Sequence, residues 1–345
     1  MKYLLLIAVL FIFIKGSAQP SSAFNEIGQT TLQFEDKSRN RILITEVWYP
    51  TPDSLSSADK KTSPFKRLFT VEDGKLAPGK FPLIMMSHGT GGNRLNLEWL
   101  AQALVQNGFI VAAVDHWGNT FDNKIPVEFI KPWERPLDMS YVLSELLNTE
   151  TFGKVILKEN IGALGFSFGG YTVLALAGAE LDYQILLDYY NTPEGQKEVE
   201  LPELPEMAEL LTNSRSFFME SIAHIPKLKD SRFKAFLAIS PGTSRGFVSE
   251  KQFEEVSDPV FIIGCEADEI TPVEFYSRHY HKLIPHSEYY EFLGETGHYV
   301  MLPEAIEEVK QKDPFIFMDH PSIDRQKIHR KTQQLCMDFF NKSLN

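Results

Sequence analysis

Short runs of apolar residues alternate with amphipathic stretches through most of the chain after residue 80. Each run is nearly continuous in apolar residues, which is typical of strands buried on both faces, and such strands form parallel sheets covered by helices. We therefore predict an α/β fold with a mostly parallel central sheet flanked by helices. The predicted strands are residues 81–87, 109–115, 160–166, 233–240 and 259–265, followed by a last strand at 287–293.

The stretches between these runs have the periodicity of helices. In residues 93–108 the apolar positions fall on one helical face, and the stretch ends at Asn107 and Gly108, which suit a helix C-terminus. Residues 168–178 are apolar all round, as expected of a central helix. Further helices are predicted over residues 133–147, 272–283 and 325–340.

Two segments depart from this alternation. Residues 30–36 and 41–50 alternate apolar and polar positions, which predicts an antiparallel hairpin ahead of the parallel strands. Residues from about 180 to 230 carry many acidic side chains and the sequence LPELPEMAELL. We predict that this segment is a helical insertion above the sheet, and we regard it as a candidate lid. Residues 19–345 then form one domain.

The N-terminus has the pattern of a secretory signal. Lys2 precedes an uninterrupted apolar run over residues 4–14, and small residues follow it as far as Ala18. The run is too short to span a bilayer comfortably, and the small residues resemble a cleavage site. We expect residues 1–18 to be removed, which makes the mature protein secreted or periplasmic without stable membrane insertion. An uncleaved N-terminal anchor is the alternative.

Composition and charge exclude several classes of function. With 43% hydrophobic and 23% charged residues, the chain has the composition of an ordinary globular protein. Its formal net charge of −12 repels phosphate backbones, so we expect no nucleic-acid partner. Cys265 and Cys336, the two cysteines, are expected to be free thiols. The sequence leaves the oligomeric state open.

A single serine stands between glycines where a predicted strand meets a predicted helix. Gly165, Ser167 and Gly169 match the pattern G-x-S-x-G, in which a sharp turn projects the serine hydroxyl at a helix N-terminus. The glycines are needed because the strained turn leaves no room for side chains two residues away. Ser167 is therefore the candidate nucleophile, and a helix-capping serine is the alternative.

A serine nucleophile needs a base and an acid that orients the base, and on this kind of fold the chain order is serine, acid, histidine. An acidic loop with Glu266, Asp268 and Glu269 follows the strand at 259–265, and His298 follows the last strand. Both loops lie at carboxyl ends of strands, where open α/β sheets collect their functional groups. We assign Asp268 as the acid, with Glu266 as the second choice, and His298 as the base.

The turn after the first parallel strand is a candidate oxyanion loop. Its sequence, SHGTGGNR from Ser87, resembles the glycine-rich loops that present backbone N–H groups beside such a serine. We assign the oxyanion donors to the backbone N–H groups of Thr90 and Phe168. A phosphate-binding loop is disfavoured because no Gly-Lys-Ser/Thr sequence follows.

Five stretches together resemble the predicted dienelactone hydrolases of bacteria, an α/β-hydrolase family related to platelet-activating factor acetylhydrolase. They are MMSHGTGGNRLNLEWLAQALVQNGFIVAAVDHWGN, RPLDMSYVLSELL, IGALGFSFGG, FIIGCEADEITP and GHYVML, between residues 81 and 302. The resemblance implies the α/β-hydrolase fold, a Ser-Asp-His triad of Ser167, Asp268 and His298, and an ester or lactone substrate, with lipid degradation as one setting. It also implies that no metal or other cofactor is required.

Two features depart from the relatives. Dienelactone hydrolase itself uses a cysteine nucleophile, whereas this chain has Ser167. In the acetylhydrolase the acid follows the preceding strand, whereas the corresponding loop here, residues 240–246, contains no carboxylate. Asp268 therefore agrees better with the bacterial branch.

The sequence as a whole favours a secreted serine carboxylic-ester hydrolase that acts on a small-molecule ester, with short-acyl esters or lactones as the expected substrates. His279 and His281 do not favour a metal site, because residues i and i+2 of a helix point apart. A serine peptidase or amidase on the same fold is the first alternative. A non-catalytic binding protein on a hydrolase scaffold is the second.

Overall fold

One sheet runs through the whole computed structural model, which describes residues 26–200 and 204–344. The predicted signal at 1–18 lies outside the described residues. In the described part the sheet has the strand order β3-β1-β2-β5-β4-β6-β7-β8-β9. The strands are β1 (Glu26–Asp36), β2 (Arg41–Thr51), β3 (Val71–Glu72), β4 (Phe81–Ser87), β5 (Ile110–Val114), β6 (Ile156–Phe166), β7 (Ala235–Ile239), β8 (Val260–Cys265) and β9 (Glu288–Phe292).

The sheet is mixed, with an antiparallel part followed by a parallel part. β1 pairs with β2 over their full length as the predicted hairpin, and β2 pairs antiparallel with β5. From β5 through β4, β6, β7 and β8 to β9 every neighbouring pair is parallel. The carboxyl ends of these strands therefore meet at one edge of the sheet, where the loops after β4, β6, β8 and β9 lie.

Helices connect the strands and cover both faces of the sheet. In the described part of the chain they are α1 (Glu98–Gln106), α2 (Pro126–Phe129), α3 (Glu134–Asn148), α4 (Phe168–Ala177), α5 (Tyr183–Tyr190), α6 (Pro193–Glu198), α7 (Met207–Asn213), α8 (Arg215–Ile222), α9 (Ser277–Leu283), α10 (Glu307–Lys312), α11 (Pro314–Phe317) and α12 (Arg325–Leu344). Short 3₁₀ turns occupy Ser244–Gly246, Glu250–Phe253 and His298–Met301. No helix in these residues combines the length and the apolar composition needed to cross a bilayer.

Two apolar cores, one on each face, explain why the central strands are continuously apolar. In β4, Leu83 and Met85 belong to the core that α3 and α4 cover, whereas Ile84 and Met86 belong to the core that α1 and α12 cover. Successive side chains of a strand point to opposite faces, so a strand between two cores needs apolar residues at every position. This arrangement fixes the ends of the central strands and with them the loops that follow.

The segment from 180 to 230 contains four helices, α5 to α8, with a small core of their own. Leu187, Val199, Leu211 and Phe218 are buried there against Trp133 of the N-cap of α3. The insertion is also attached to the body of the protein by ion pairing. Arg245, in the 3₁₀ turn after β7, donates hydrogen bonds to Glu198 of α6 at 2.6 and 3.0 Å.

Two predicted helices start later than expected, for local reasons. Residues 93–97 form turns in which Asn93 accepts a hydrogen bond from the backbone of Leu95, so α1 begins at Glu98. Asparagine side chains compete with helical hydrogen bonds in this way. α9 begins at Ser277 instead of residue 272, after a turn in which the backbone N–H of Phe275 bonds to the carbonyl of Pro272. The structure also adds β3, α2, α10 and α11, which were not predicted.

Candidate active site

Ser167 occupies a strained turn between β6 and α4. Its backbone has φ 55° and ψ −120°, in a region that residues other than glycine rarely adopt. The backbone N–H of Ser167 donates to the carbonyl of Ile239 at the end of β7, at 2.9 Å, and its carbonyl accepts from Gly170 and Gly242, each at 2.8 Å. These bonds hold the turn against the neighbouring strand end.

The glycines at positions 165 and 169 are required by close backbone approach. A Cβ at position 165 would overlap the carbonyl oxygen of Gly169 and lie 2.8 Å from the nitrogen of Gly170. A Cβ at position 169 would overlap the carbonyl oxygen of Ser87 and lie 2.8 Å from that of His88. The turn therefore packs directly on the loop after β4, which is the candidate oxyanion loop.

Asp268 and His298 form a buried pair across the ends of β8 and β9. The Nδ1 atom of His298 lies 2.7 Å from Oδ2 of Asp268. The carboxylate also accepts hydrogen bonds from the backbone of Ile270 and from the backbone and hydroxyl of Thr271, at 2.6 to 3.0 Å. These bonds fix its orientation, so the carboxylate presents one oxygen to the imidazole.

The other two acids of this loop do not contact the histidine. Glu266 accepts a hydrogen bond from the backbone N–H of Gly294, and Glu269 is exposed. The backbone N–H of Ala267 donates to the carbonyl of Thr296 at 3.0 Å, which ties the acidic loop to the loop that carries His298. Asp268 is thus the acid that the two loops place beside the imidazole.

Ser167 and His298 line one cavity of about 670 Å³ at the carboxyl edge of the sheet. The ring of Phe166, the residue before Ser167, packs against the imidazole of His298 with centroids 4.8 Å apart. Ser167 and His298 are largely buried, with 8% and 4% of their surfaces exposed. The three predicted triad residues therefore gather at one site, with the serine and the imidazole facing the same space.

Thr90 and Phe168 line the same cavity. A Cβ at Gly89 would lie 3.1 Å from Cβ of Ser167, which shows how closely the loop approaches the serine. The loop is held by a hydrogen bond from the backbone N–H of Gly91 to Oδ1 of Asn119, at 3.2 Å. Among the described residues, neither Thr90 nor Phe168 donates its backbone N–H to another protein group, so both donors are available to a ligand.

A second chain of serine, histidine and aspartate lies beneath this site and does not line the cavity. Oγ of Ser87 is 2.9 Å from Nε2 of His116, and Nδ1 of His116 is 3.1 Å from Oδ2 of Asp138. All three side chains are fully buried. Burial lowers the pKa of His116 to about 3, so this imidazole is neutral at ordinary pH. His116 is thus part of a hydrogen-bond network inside the fold.

Asp138 is the charged end of this network. Arg41 forms an ion pair with it at 2.7 Å, and Arg39 forms another at 3.0 Å. Burial would raise the pKa of the Asp138 carboxyl, but the charge of Arg41 and the hydrogen bonds from Arg41 and His116 hold it below its usual range. The hydrophobic pattern of the chain does not indicate this network, because its members lie on separate elements.

The walls of the cavity come from several parts of the chain. Loops near residues 62–67 and the segment around α11 form one part, and the insertion contributes another. The lining is largely aromatic and aliphatic, and includes Trp99, Phe166, Tyr190, Met207, Tyr299 and Phe317. An apolar cavity with a few convergent polar groups is the usual form of a small-molecule site.

A solved structure shares this fold over almost the whole chain. Ferulic acid esterase from Streptomyces cinnamoneus aligns with a TM-score of 0.60 and 18% identity, covering 94% of this chain and 92% of the esterase. This chain has the α/β-hydrolase fold. The fold class predicted from the sequence is thereby confirmed, including the mostly parallel sheet flanked by helices.

A family comparison adds a local resemblance. The sequence pattern of platelet-activating factor acetylhydrolase, isoform II, matches residues 65–121, which include β4, the candidate oxyanion loop and β5. No curated protein sequence matches the chain. The family match is local and the structural neighbour shows the fold; both agree with the resemblance noted in the sequence.

The histidines of α9 have ordinary hydrogen-bond partners. Nε2 of His279 lies 2.6 Å from the carbonyl oxygen of Phe247, and Nδ1 of His281 lies 2.8 Å from Oγ of Ser287. Across residues 26–200 and 204–344, no cluster of three or more potential ligand side chains is arranged to hold a metal ion. Cys265 and Cys336 are buried free thiols, and burial raises the pKa of both.

Proposed function

We propose that this α/β-hydrolase is a serine carboxylic-ester hydrolase with Ser167 as nucleophile. His298 takes the proton of the Ser167 hydroxyl as Oγ attacks the ester carbonyl carbon, and Asp268 orients the imidazole and stabilises its cation. The backbone N–H groups of Thr90 and Phe168 bind the oxyanion of the tetrahedral intermediate. The observation that carries the proposal is the Asp268–His298 pair facing the same cavity as the strained Ser167.

The reaction then proceeds through an acyl enzyme. His298 returns its proton to the alcohol oxygen as the ester C–O bond breaks, which leaves the acyl group on Ser167. His298 next removes a proton from water, the hydroxyl attacks the acyl carbon, and the proton returns to Oγ as the carboxylic acid leaves. Each proton removed is given back, so the cycle needs no cofactor.

We propose short-acyl esters or lactones as the substrates. We also propose that the protein is cleaved near Ala18 and acts in the periplasm or outside the cell. The resemblance to platelet-activating factor acetylhydrolase supports a short acyl group. A cavity of about 670 Å³ is far larger than an acetyl group needs, so we assign the remaining space to an apolar alcohol portion. The structural neighbour is a ferulic acid esterase, and aromatic esters are accordingly included among the candidates.

An amidase with an acidic subsite for a substrate amine is less well supported. Glu198 of the insertion lines the cavity, but it already accepts hydrogen bonds from Arg245, Tyr189 and Tyr276. Its charge is thus paired, and the Arg245 and tyrosine donors hold its pKa below the usual range. A carboxylate in this state offers a substrate amine little attraction.

A fluorophosphonate probe on the mature protein tests the nucleophile. We expect a covalent adduct on Ser167, located by mass spectrometry of the digested protein, and no adduct in Ser167→Ala. Ser240→Ala is a matched control, since Ser240 also follows a central strand but is fully buried, and this variant should label like the wild type. A folded wild-type protein that the probe leaves unmodified would overturn the proposal and favour a binding protein.

A series of p-nitrophenyl esters tests the acyl preference. We expect kcat/KM to be highest for acetyl to butyryl esters and to fall for longer chains. Faster hydrolysis of dodecanoyl than of butyryl esters would contradict the short-acyl proposal while leaving the nucleophile in place.

A further inference from the structure

Arg135 of α3 is a buried cation beneath the candidate oxyanion loop. Only 1% of its surface is exposed, and all its hydrogen-bond acceptors in the described part of the chain are neutral hydroxyl, amide or carbonyl groups. Burial lowers its pKa to about 9, which still leaves it protonated at neutral pH. A buried charge without a contacting counter-charge is costly and requires a reason.

The guanidinium touches both segments that carry the proposed oxyanion donors. On the side of the loop after β4, Nη2 donates to the carbonyl oxygen of His88, and Nη1 donates to Oδ1 of Asn119 at 3.1 Å. The same Oδ1 atom accepts the backbone N–H of Gly91. Thr90 lies between these two anchored residues, so Arg135 restrains the loop on each side of that donor.

On the side of α4, the guanidinium lies over the ring of Phe168, with its central carbon 4.6 Å from the ring centroid. Nε donates to Oγ1 of Thr172 at 3.2 Å, and the Thr172 hydroxyl donates to the carbonyl of Phe168 at 3.0 Å. Because the fork of a guanidinium is planar and rigid, contacts at its two ends fix the spacing of the groups they join.

The network of Ser87, His116 and Asp138 places no carboxylate in contact with Arg135. Asp138 forms its ion pairs with Arg39 and Arg41, and His116, which separates Asp138 from Ser87, is neutral. The guanidinium donates to Ser87 Oγ at 3.3 Å, so the hydrogen-bonded chain ends on the arginine without bringing a carboxylate to it. A positive charge held in this way favours negative charge that develops nearby.

We propose that Arg135 is the positioning residue of the oxyanion site, holding the Thr90 and Phe168 donors at a fixed separation and supplying a positive potential beneath them. The inference rests on the proposed serine hydrolase. Since negative charge on the carbonyl oxygen develops only after substrate has bound, the contribution of Arg135 belongs to the transition state. Its loss should therefore lower kcat and leave KM nearly unchanged.

Three variants test this role: Arg135→Lys, Arg135→Met and Thr172→Val. Each is measured with a p-nitrophenyl ester as substrate and with a trifluoromethyl ketone as inhibitor. The serine hydroxyl attacks the carbonyl carbon of such a ketone to give an anionic hemiketal. In Arg135→Lys the charge is kept but the side chain cannot span both segments, and we expect kcat to fall about 10-fold. We expect kcat to fall about 100-fold in Arg135→Met and about 3-fold in Thr172→Val. In each variant KM should stay within about twofold, and Ki of the ketone should rise by the factor by which kcat/KM falls.

Arg232→Met is the matched control, because Arg232 also anchors α3, through Ser140 and Ser144, but touches neither donor segment. We expect it to lose stability and keep kcat within about twofold. Should Arg135→Met fail to fold, the other two variants decide the matter. Folded Arg135→Lys and Thr172→Val proteins with wild-type kcat, or a loss of kcat without a matching rise in Ki, would overturn the inference. An unlabelled wild-type Ser167 would instead overturn the proposed function.

Discussion

Replacing Gly169 by alanine sets two effects against each other. Gly169 is the second residue of α4, and in an ordinary helix the change from glycine to alanine stabilises a protein by roughly 1 kcal/mol. Here the new Cβ would overlap the carbonyl oxygen of Ser87. It would lie 2.6 Å from the carbonyl carbon of Ser87 and 2.8 Å from the carbonyl oxygen of His88. Real Cβ atoms essentially never come closer than 3.0 Å to such neighbours.

The clash should decide the sign of the change. Its partners are backbone atoms, which cannot rotate away as a side chain can, so α4 and the loop after β4 must separate by about 1 Å. Overpacking of this kind costs typically 1–3 kcal/mol. With a cost near the top of that range and the gain from helix propensity subtracted, Gly169→Ala should lower the free energy of unfolding by about 2 kcal/mol. Because the displaced loop carries Thr90, kcat should fall about 100-fold.

Urea denaturation and ester hydrolysis measure the two effects separately. Gly108→Ala is the control, since residue 108 has φ +89° with nothing within 4 Å of a new Cβ. That variant meets backbone strain alone, and we expect a loss of about 1 kcal/mol with wild-type kcat. A Gly169→Ala protein that is as stable as the wild type, or that keeps its kcat, would refute the close packing of Ser167's turn on the loop after β4.

Three further predictions follow from other contacts. Asp268→Asn should lower kcat about 10,000-fold because the amide disturbs the tautomer of His298, whereas Glu266→Gln should keep kcat within about twofold; the reverse pattern in ester hydrolysis would move the acid to Glu266. Glu198→Ala removes the acceptor shared by Arg245, Tyr189 and Tyr276. Limited proteolysis should therefore cut this variant within residues 180–230 about 10-fold faster than it cuts Glu220→Ala, a control at an exposed site. Equal rates would show that this cluster does not hold the insertion. Burial lowers the pKa of His329 to about 4, so the unfolded chain binds this proton first as the pH falls. The free energy of unfolding should therefore fall by about 3 kcal/mol between pH 6.5 and 4. Urea denaturation should show that this loss is absent from His329→Gln and unchanged in the exposed control His320→Gln.

Most of the sheet was predictable because strands that are buried on both faces appear in the sequence as continuous apolar runs. The strand before Ser167 is apolar and buried from Ile161 to Phe166, and the glycines around the serine identify the turn. Chain order then places Asp268 and His298 after adjacent strands, and the structure brings them within 2.7 Å. Their catalytic roles stay predictions, although the choice of Asp268 over Glu266 agrees with the contacts.

Other features depend on contacts that leave no periodic pattern. Arg135 has the appearance of an ordinary charged residue of an amphipathic helix, and only the approach of the His88 carbonyl and Thr172 makes it an internal residue. β3 is two residues long and owes its pairing to β1. Local competition by Asn93 delays α1, and such competition depends on side-chain geometry that a hydrophobic pattern does not contain.

The sealed chain of Ser87, His116 and Asp138 has a consequence for chemical probing of this protein. It has the same three residue types as the proposed triad, and a search by residue identity and hydrogen bonding alone would find both sets. What separates them is access, because a bulky phosphorylating reagent can reach the wall of an open cavity and cannot enter a packed interior. An electrophile of that size should therefore label one serine per molecule, and the buried Ser87 should stay unmodified.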